Sequence, residues 1–144
     1  MFVFIDVDGT LIDQNDNPRP HVIELLQRLY AAGYQIIIWS AGGAQYAECK
    51  INMVSTHLTY ALNAQVNLDQ YVFGYADKSE PPVIQESPKF YIDDMEALVA
   101  HVQKSGHGAF VVPFYDATLD SHKNDNWLLR ALKAVEKFHH ENPH

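Results

Sequence analysis

The sequence predicts an α/β fold: a single three-layer αβα domain, residues 1–144, around a central parallel sheet. Three observations point there. Apolar runs of strand length recur along the 144 residues, segments with helical spacing separate them, and polar or acidic residues stand directly after several of the runs. Short runs that are apolar throughout are typical of strands buried on both faces. Their alternation with helices implies βαβ crossovers and parallel pairing.

The elements follow in order. Residues 2–6 (FVFID) read as the first buried strand. Gly9 and the polar stretch Asp13-Gln14-Asn15-Asp16-Asn17-Pro18 mark a loop or flap. Pro20 suits the first turn of a helix. Val22, Ile23, Leu25, Leu26, Leu29 and Tyr30 follow at helical spacing, and Gly33 is a good stop. Residues 34–39 (YQIIIW) form the second strand and run into Ser40-Ala41-Gly42-Gly43, a tight strand-to-helix turn. A helix over 44–62 comes next, then a third strand at 71–75 (YVFGY) and an irregular segment over 77–88 with Pro81, Pro82 and Pro88. Residues 90–92 (FYI) are the fourth strand, ending at Asp93-Asp94. A helix over 95–105 closes at Gly106 and Gly108, and 109–112 (AFVV) is the fifth strand. Leu128, Leu129, Leu132, Val135 and Phe138 share one face of a last amphipathic helix over 126–140.

Composition narrows the function classes. The chain is 47% apolar, enough for a real core at this length. One cysteine, Cys49, excludes an internal disulfide, so nothing demands an oxidising compartment. No apolar run reaches the roughly 18 to 20 residues of a membrane helix, and the first residues carry no basic leader. The expectation is a cytoplasmic protein without a membrane partner. The net charge of −8 argues against nucleic acid, whose backbone favours a basic face. The eight histidines make no zinc-type ligand set, and His139, His140 and His144 read as a polar tail. Trp39, Met53 and Met95 read as core, Cys49 as a packed or idle thiol, and Asp120, Asp125 and Glu136 as solvated charges.

Ligands of open parallel sheets bind beyond the carboxyl ends of the strands. The first strand ends at Asp6, the second at Ser40 and the fourth at Asp93-Asp94, so three polar groups are expected to meet at one edge. An acid at the end of a buried strand is costly unless compensated. Asp6 and Asp8, followed by Gly9 and Thr10, suggest a hard divalent cation. The plainer alternative makes Asp8 and Thr10 turn residues and Asp6 a helix cap. For Asp93-Asp94 the alternative is a cap with a first-turn acid, and for Ser40 a plain N-cap.

Asp6-Val7-Asp8-Gly9-Thr10-Leu11 at the end of the first strand resembles motif I of the haloacid dehalogenase-like phosphohydrolases. Ser40 resembles their motif II, Asp93-Asp94 their acidic motif IV, and the likeness covers roughly Phe2 to Val112. It implies a Rossmann-like core in which Asp6 attacks phosphorus, forming an aspartyl-phosphate. Asp8 protonates the leaving alcohol and later deprotonates the hydrolytic water. Mg²⁺ is implied between Asp6 and the phosphate, held also by the Asp8 carbonyl and by Asp93, with Asp94 beside it. Ser40, with backbone N–H groups of Ala41, Gly42 and Gly43, and with Gly9 and Thr10 nearby, is implied to bind phosphate. A lysine neutralising the nucleophile is Lys78 or Lys89. Lys78 is the choice, because Lys89 directly precedes the fourth strand and so falls at its wrong end.

Asp6 and Ser40 lie 34 positions apart, filled by the flap and one helix. Neither there nor over 44–77 is there room for an inserted cap domain. The expectation is a capless Mg²⁺-dependent phosphatase acting on a phosphorylated small molecule, with association to a second copy open. A nucleic-acid end-processing phosphatase and a non-catalytic binding module on the same scaffold are the rivals.

Overall fold

A computed structural model describes residues 1–78, 89–119 and 124–143. The proline-rich segment and Asp120 fall largely or wholly outside these residues, as does His144. The strands are β1 (Phe2–Asp6), β2 (Gln35–Ser40), β3 (Gly74–Asp77), β4 (Lys89–Asp93) and β5 (Gly108–Val111). The helices are α1 (Val22–Ala31), α2 (Ala44–Leu62), α3 (Glu96–Lys104) and α4 (Trp127–Glu141). The five strands form one parallel sheet in the order β3-β2-β1-β4-β5.

That order has a consequence for ligands. From β1 the chain steps outward through β2 to β3, then returns to place β4 on the other side of β1. The direction of winding reverses between β1 and β4, and the crevice at such a switch point is where open α/β sheets bind ligands. Asp6 ends β1 and Asp93 ends β4, so two acids meet at that crevice.

Alternate residues of the strands feed two different cores. Val3, Ile5, Ile36, Ile38, Phe90 and Ile92 face α1, α2 and α4 through Leu25, Leu26, Leu29, Ile51, Leu128 and Leu132. Phe4, Ile37, Trp39 and Tyr91 point to the opposite face, with Val102 of α3. The aromatic rings thicken this second core: Phe4 stacks on Tyr91 at 5.0 Å, and Trp39 lies 5.2 Å from Phe4. Large rings are what a face needs when, among the described residues, a single helix covers it.

Most expected elements lie within a residue or two of their place, and β3 is the exception. Residues 71–75 were expected to be strand. Instead Asp69–Tyr71 makes a short 3-10 turn, and the strand runs from Gly74 to Asp77. Tyr71 and Val72 spend their apolar surface against the first core, Tyr71 edge-on to Tyr30 and bonded through its hydroxyl to Gln27. The ladder with β2 begins only at Ile37 opposite Gly74, which sets Asp77 opposite Ser40 and delivers Lys78 to the strand ends.

Several single-residue expectations differ as well. Met53 and Met95 are exposed rather than core, and Cys49 is exposed. His139 packs its ring edge-on to Tyr34 and shares a 2.8 Å hydrogen bond with the Tyr34 hydroxyl. The flap is only partly a surface feature: Thr10, Leu11, Ile12 and Asp13 are buried. Asp13 organises it by accepting the N–H groups of Asn15 and Asn17 on one oxygen, and those of the Asn17 amide and Ala117 on the other. Burial alone would raise its pKa, but these bonds outweigh it and hold the carboxyl below its ordinary value.

Asp125 is the largest departure. It is buried, with Arg19 as its partner: Arg19 Nε sits 3.1 Å from both carboxylate oxygens and Nη2 3.0 Å from Oδ2. Arg19 Nη1 reaches the carbonyls of Gly9 and Thr10 at 3.1 and 3.3 Å. Asp125 Oδ1 also accepts the Trp127 N–H at the start of α4. The pair therefore ties the loop after β1 to the last helix. Removing one partner strands the other charge in the interior. Asp125→Ala is expected to destabilise the protein by about 3–5 kcal/mol in urea unfolding, and a loss within the scatter of surface substitutions would contradict this role.

Candidate active site

The site is built at the carboxyl ends of β1, β2, β3 and β4. Asp6 is buried at the end of β1 and both its oxygens are held. Oδ2 accepts the Thr10 hydroxyl at 3.0 Å and Oδ1 accepts Lys78 Nζ at 2.8 Å. Lys78 follows β3 directly, its backbone N–H donating to the Ser40 carbonyl at 3.1 Å. Its ammonium bridges Asp6 and Asp93, at 2.6 Å from Asp93 Oδ2, and lies over the Trp39 ring at 5.4 Å. Asp93 is fully buried, and its other oxygen accepts the Met95 N–H at 3.0 Å ahead of α3. Asp94 completes the group: one carboxylate oxygen from each of Asp6, Asp93 and Asp94 lies within 4.8 Å of the others.

Lys89 is elsewhere. It opens β4 opposite Phe2, at the amino-terminal edge of the sheet, so Lys78 is the lysine brought to the acids. Ser40 is buried at the end of β2, and its Oγ accepts the Gly42 N–H at 3.0 Å. Ala41 and Gly42 are exposed beside it, and Gly43 takes φ +102° as the chain turns into α2. The turn thus lays exposed backbone at a helix amino terminus next to the carboxylates. Gly9 has φ +78°, and a Cβ there would collide with the Phe114 ring and approach Asp94 Oδ2 to 2.7 Å. Only glycine fits that close approach.

Asp8 stands apart from the three clustered carboxylates. It is exposed, and both its oxygens accept the Tyr46 hydroxyl, at 2.9 and 2.8 Å. Burial first, then this bond and the charge of Asp8, push the Tyr46 hydroxyl up to about 12, so it remains a donor at neutral pH.

Three acids against one ammonium leave an excess of negative charge in a largely buried space. The protonation equilibria reflect it. Asp6 is pushed up to about 8, by burial first, then by its hydrogen bond with Asp94 and the charge of Asp93, against the opposing pull of Lys78. Burial also raises Asp93, with Lys78 and the Met95 N–H opposing. Lys78 is raised: burial works against its charge, but Asp6 and Asp93 outweigh it. Oxygen-only donors with surplus negative charge suit a hard divalent cation, and Asp6, Asp93 and Asp94 are the residues to hold it.

Several residues at the site are not marked by any local pattern in the sequence. Tyr46 sits in the first turn of α2, a place that reads as ordinary helix. Arg19 was detectable as a lone cation beside an otherwise acidic and polar flap, but nothing local pairs it with Asp125. Phe114 comes from the loop after β5. It is half exposed and borders a cleft of about 730 Å³ that also takes in Asp94, Phe110, Val112 and Trp127. A hollow of about 830 Å³ along the outer face of α2, lined by Glu48, Cys49, Met53, His57 and Tyr60, shares no residue with the carboxylate cluster.

The family model described as haloacid dehalogenase-like hydrolase matches residues 3–60 of the chain, from β1 through nearly all of α2. No curated protein matches the sequence. No helix among the described residues is long and apolar enough to cross a membrane.

The raised Asp6 has a thermodynamic signature. An aspartate unfolds to a pKa of about 3.9, so the folded value of about 8 is the higher one. Its contribution to stability is then complete below the unfolded value and lost as pH climbs through the folded value. The metal-free protein is expected to melt at lower temperature at pH 8 than at pH 5, and Asp6→Asn to flatten the difference. Identical pH profiles for the two proteins would exclude Asp6 as the titrating group.

Proposed function

We propose, from the premise that this chain belongs to the haloacid dehalogenase-like hydrolases, that it is a phosphomonoester hydrolase working through an aspartyl-phosphate on Asp6 with Mg²⁺ as its cation. The observation that carries the reading is the convergence of Asp6, Lys78, Asp93 and Asp94 at the switch point of the sheet, beside the Ser40 turn. A structural ion pair needs one acid for one base; three acids crowded at a ligand crevice call for a further cation.

In this reading Asp6 is the nucleophile. Thr10 and Lys78 fix its carboxylate plane, which removes the orientational cost of attack. An Asp6 oxygen forms the bond to phosphorus as the bond to the leaving alcohol breaks, and Asp8 supplies that alcohol with its proton. Asp8, now ionised, takes a proton from the water that attacks the aspartyl-phosphate, releasing inorganic phosphate and restoring Asp6. The Ser40 hydroxyl, oriented by the Gly42 N–H, and the N–H of Ala41 bind the phosphoryl oxygens, and Lys78 balances their charge. Asp6, Asp93, Asp94 and the Asp8 carbonyl would hold Mg²⁺, which would supply electrostatic stabilisation of the transferring phosphoryl group.

The chain is read as a core without a cap, cytoplasmic, and acting on a phosphorylated small molecule. The leaving group then meets the core's own surface. Leu11 and Ile12 are fully buried and so turned away from it. The flap offers Gln14 and Asn15, and Phe114 adds an apolar contact beside Asp94.

Asp6→Asn keeps the shape and removes the nucleophile. On a generic phosphate ester with Mg²⁺ it is expected to lose turnover on the order of a thousandfold or more; wild-type turnover by this variant would end the covalent mechanism. Because binding of a cation requires an ionised carboxylate, Mg²⁺ affinity measured by calorimetry is expected to climb with pH and level off near pH 8, where Asp6 titrates. Affinity independent of pH between 6 and 8 would place the ion away from Asp6.

A further inference from the structure

The first two turns of α2 grip the loop after β1 at both ends. Tyr46 donates its hydroxyl to both oxygens of Asp8. Lys50, one turn later, reaches Asp16 Oδ1 at 2.6 Å and lies 5.3 Å from the centre of the Tyr46 ring. The Tyr46 ring in turn occupies the space where a side chain on Gly42 would go: a Cβ there would stand 2.9 Å from Tyr46 Cγ. One rigid ring therefore connects the glycine turn at the phosphoryl oxygens with the exposed carboxylate of Asp8.

Resting on the phosphatase reading above, we infer that Tyr46 is a positioning residue for proton transfer: it holds Asp8 at a fixed offset from the phosphate-binding turn, on the side from which the alcohol departs. An exposed aspartate otherwise samples several staggered rotamers, and general acid catalysis requires the donor within hydrogen-bond reach of the departing oxygen. Tyr46 keeps its own proton throughout. As the P–O bond breaks, its electron pair stays on the alcohol oxygen, which takes the proton of Asp8. The carboxylate so formed accepts the Tyr46 hydroxyl until it takes a proton from the attacking water.

The assignment makes the effect of Tyr46 depend on the leaving group. Tyr46→Phe keeps the ring against Gly42 and removes only the donor, so its melting temperature is expected to stay near that of the wild type. Its kcat/KM, which reports the steps through phosphoryl transfer, is expected to fall about tenfold for an alkyl phosphate, a fraction of what a general acid supplies. For p-nitrophenyl phosphate, whose leaving group departs without a proton, kcat/KM is expected to stay unchanged. In an Asp8→Asn background Tyr46→Phe is expected to cost nothing more on either ester. Equal losses on the two esters, no loss on either, or a full additional loss in the Asp8→Asn background would each overturn the assignment while leaving the Asp6 mechanism standing. A wild-type protein that hydrolyses neither ester removes the phosphatase reading and this assignment together.

Discussion

Three carboxylates and one ammonium share the crevice between the ends of β1 and β4, and most of the structure around it can be understood as the means of keeping them there. Asp6 and Asp93 are buried, and Lys78 touches both. A buried charge is tolerated only when paired and hydrogen-bonded, and each acid has such partners: Thr10 for Asp6, the Met95 N–H for Asp93. One positive charge still cannot balance the set. The crowding stores electrostatic free energy that protonation of Asp6 relieves in the metal-free protein and that a cation would relieve without protonation. Part of the net charge of −8 is concentrated here, where a bound cation would invert the local sign.

Holding such a group requires support from behind, and Arg19 provides it. Its guanidinium fixes the carbonyls of Gly9 and Thr10, and the Thr10 hydroxyl fixes Asp6 Oδ2. The guanidinium is anchored in turn by Asp125, which opens α4 through the Trp127 N–H. The loop from β5 closes the arrangement from the other side, where the Tyr115 N–H donates to the Gly9 carbonyl at 2.8 Å. The geometry of Asp6 is thus tied to residues more than a hundred positions away. A fork of five donors suits this duty better than a lysine, since the same side chain satisfies two carbonyls and a carboxylate at once.

What could be read in the sequence was what depends on local pattern. Buried strands announce themselves as apolar runs, and the acids at their ends follow from where each run stops. Asp6, Ser40 and Asp93 were therefore legible, and so was the preference for Lys78 over Lys89, since a residue preceding a parallel strand lies at the opposite edge. The start of β3 was not legible, because Tyr71 and Val72 are as apolar as a strand requires yet pack against α1 and its surroundings. Nor was the Arg19–Asp125 pair, whose partners lie 106 positions apart and carry no periodicity. Asp8 was legible as a residue, but its orientation was not, because that is set by a tyrosine on another element.

The shape of α2 follows from the same division of labour. It is the longest helix, with 19 residues, yet only Ala47, Ile51 and Val54 are buried along it. A helix selected for packing alone would present a broad apolar stripe, as α1 does with Val22, Leu25, Leu26 and Leu29. The first turns of α2 spend their inward-leaning positions on polar contacts instead: Tyr46 to Asp8 and Lys50 to Asp16, directly after the Ser40-Ala41-Gly42-Gly43 turn. Sequences tend to break their local rules where function requires it. The weak amphipathicity of α2 belongs to a helix whose amino terminus follows the Ser40-Ala41-Gly42-Gly43 turn and whose first two turns hold the loop carrying Asp8. The cost in buried surface falls on the helix that holds this loop, while α1 and α4, joined by the Arg28–Glu136 pair at 3.5 Å and by their shared core, carry the packing.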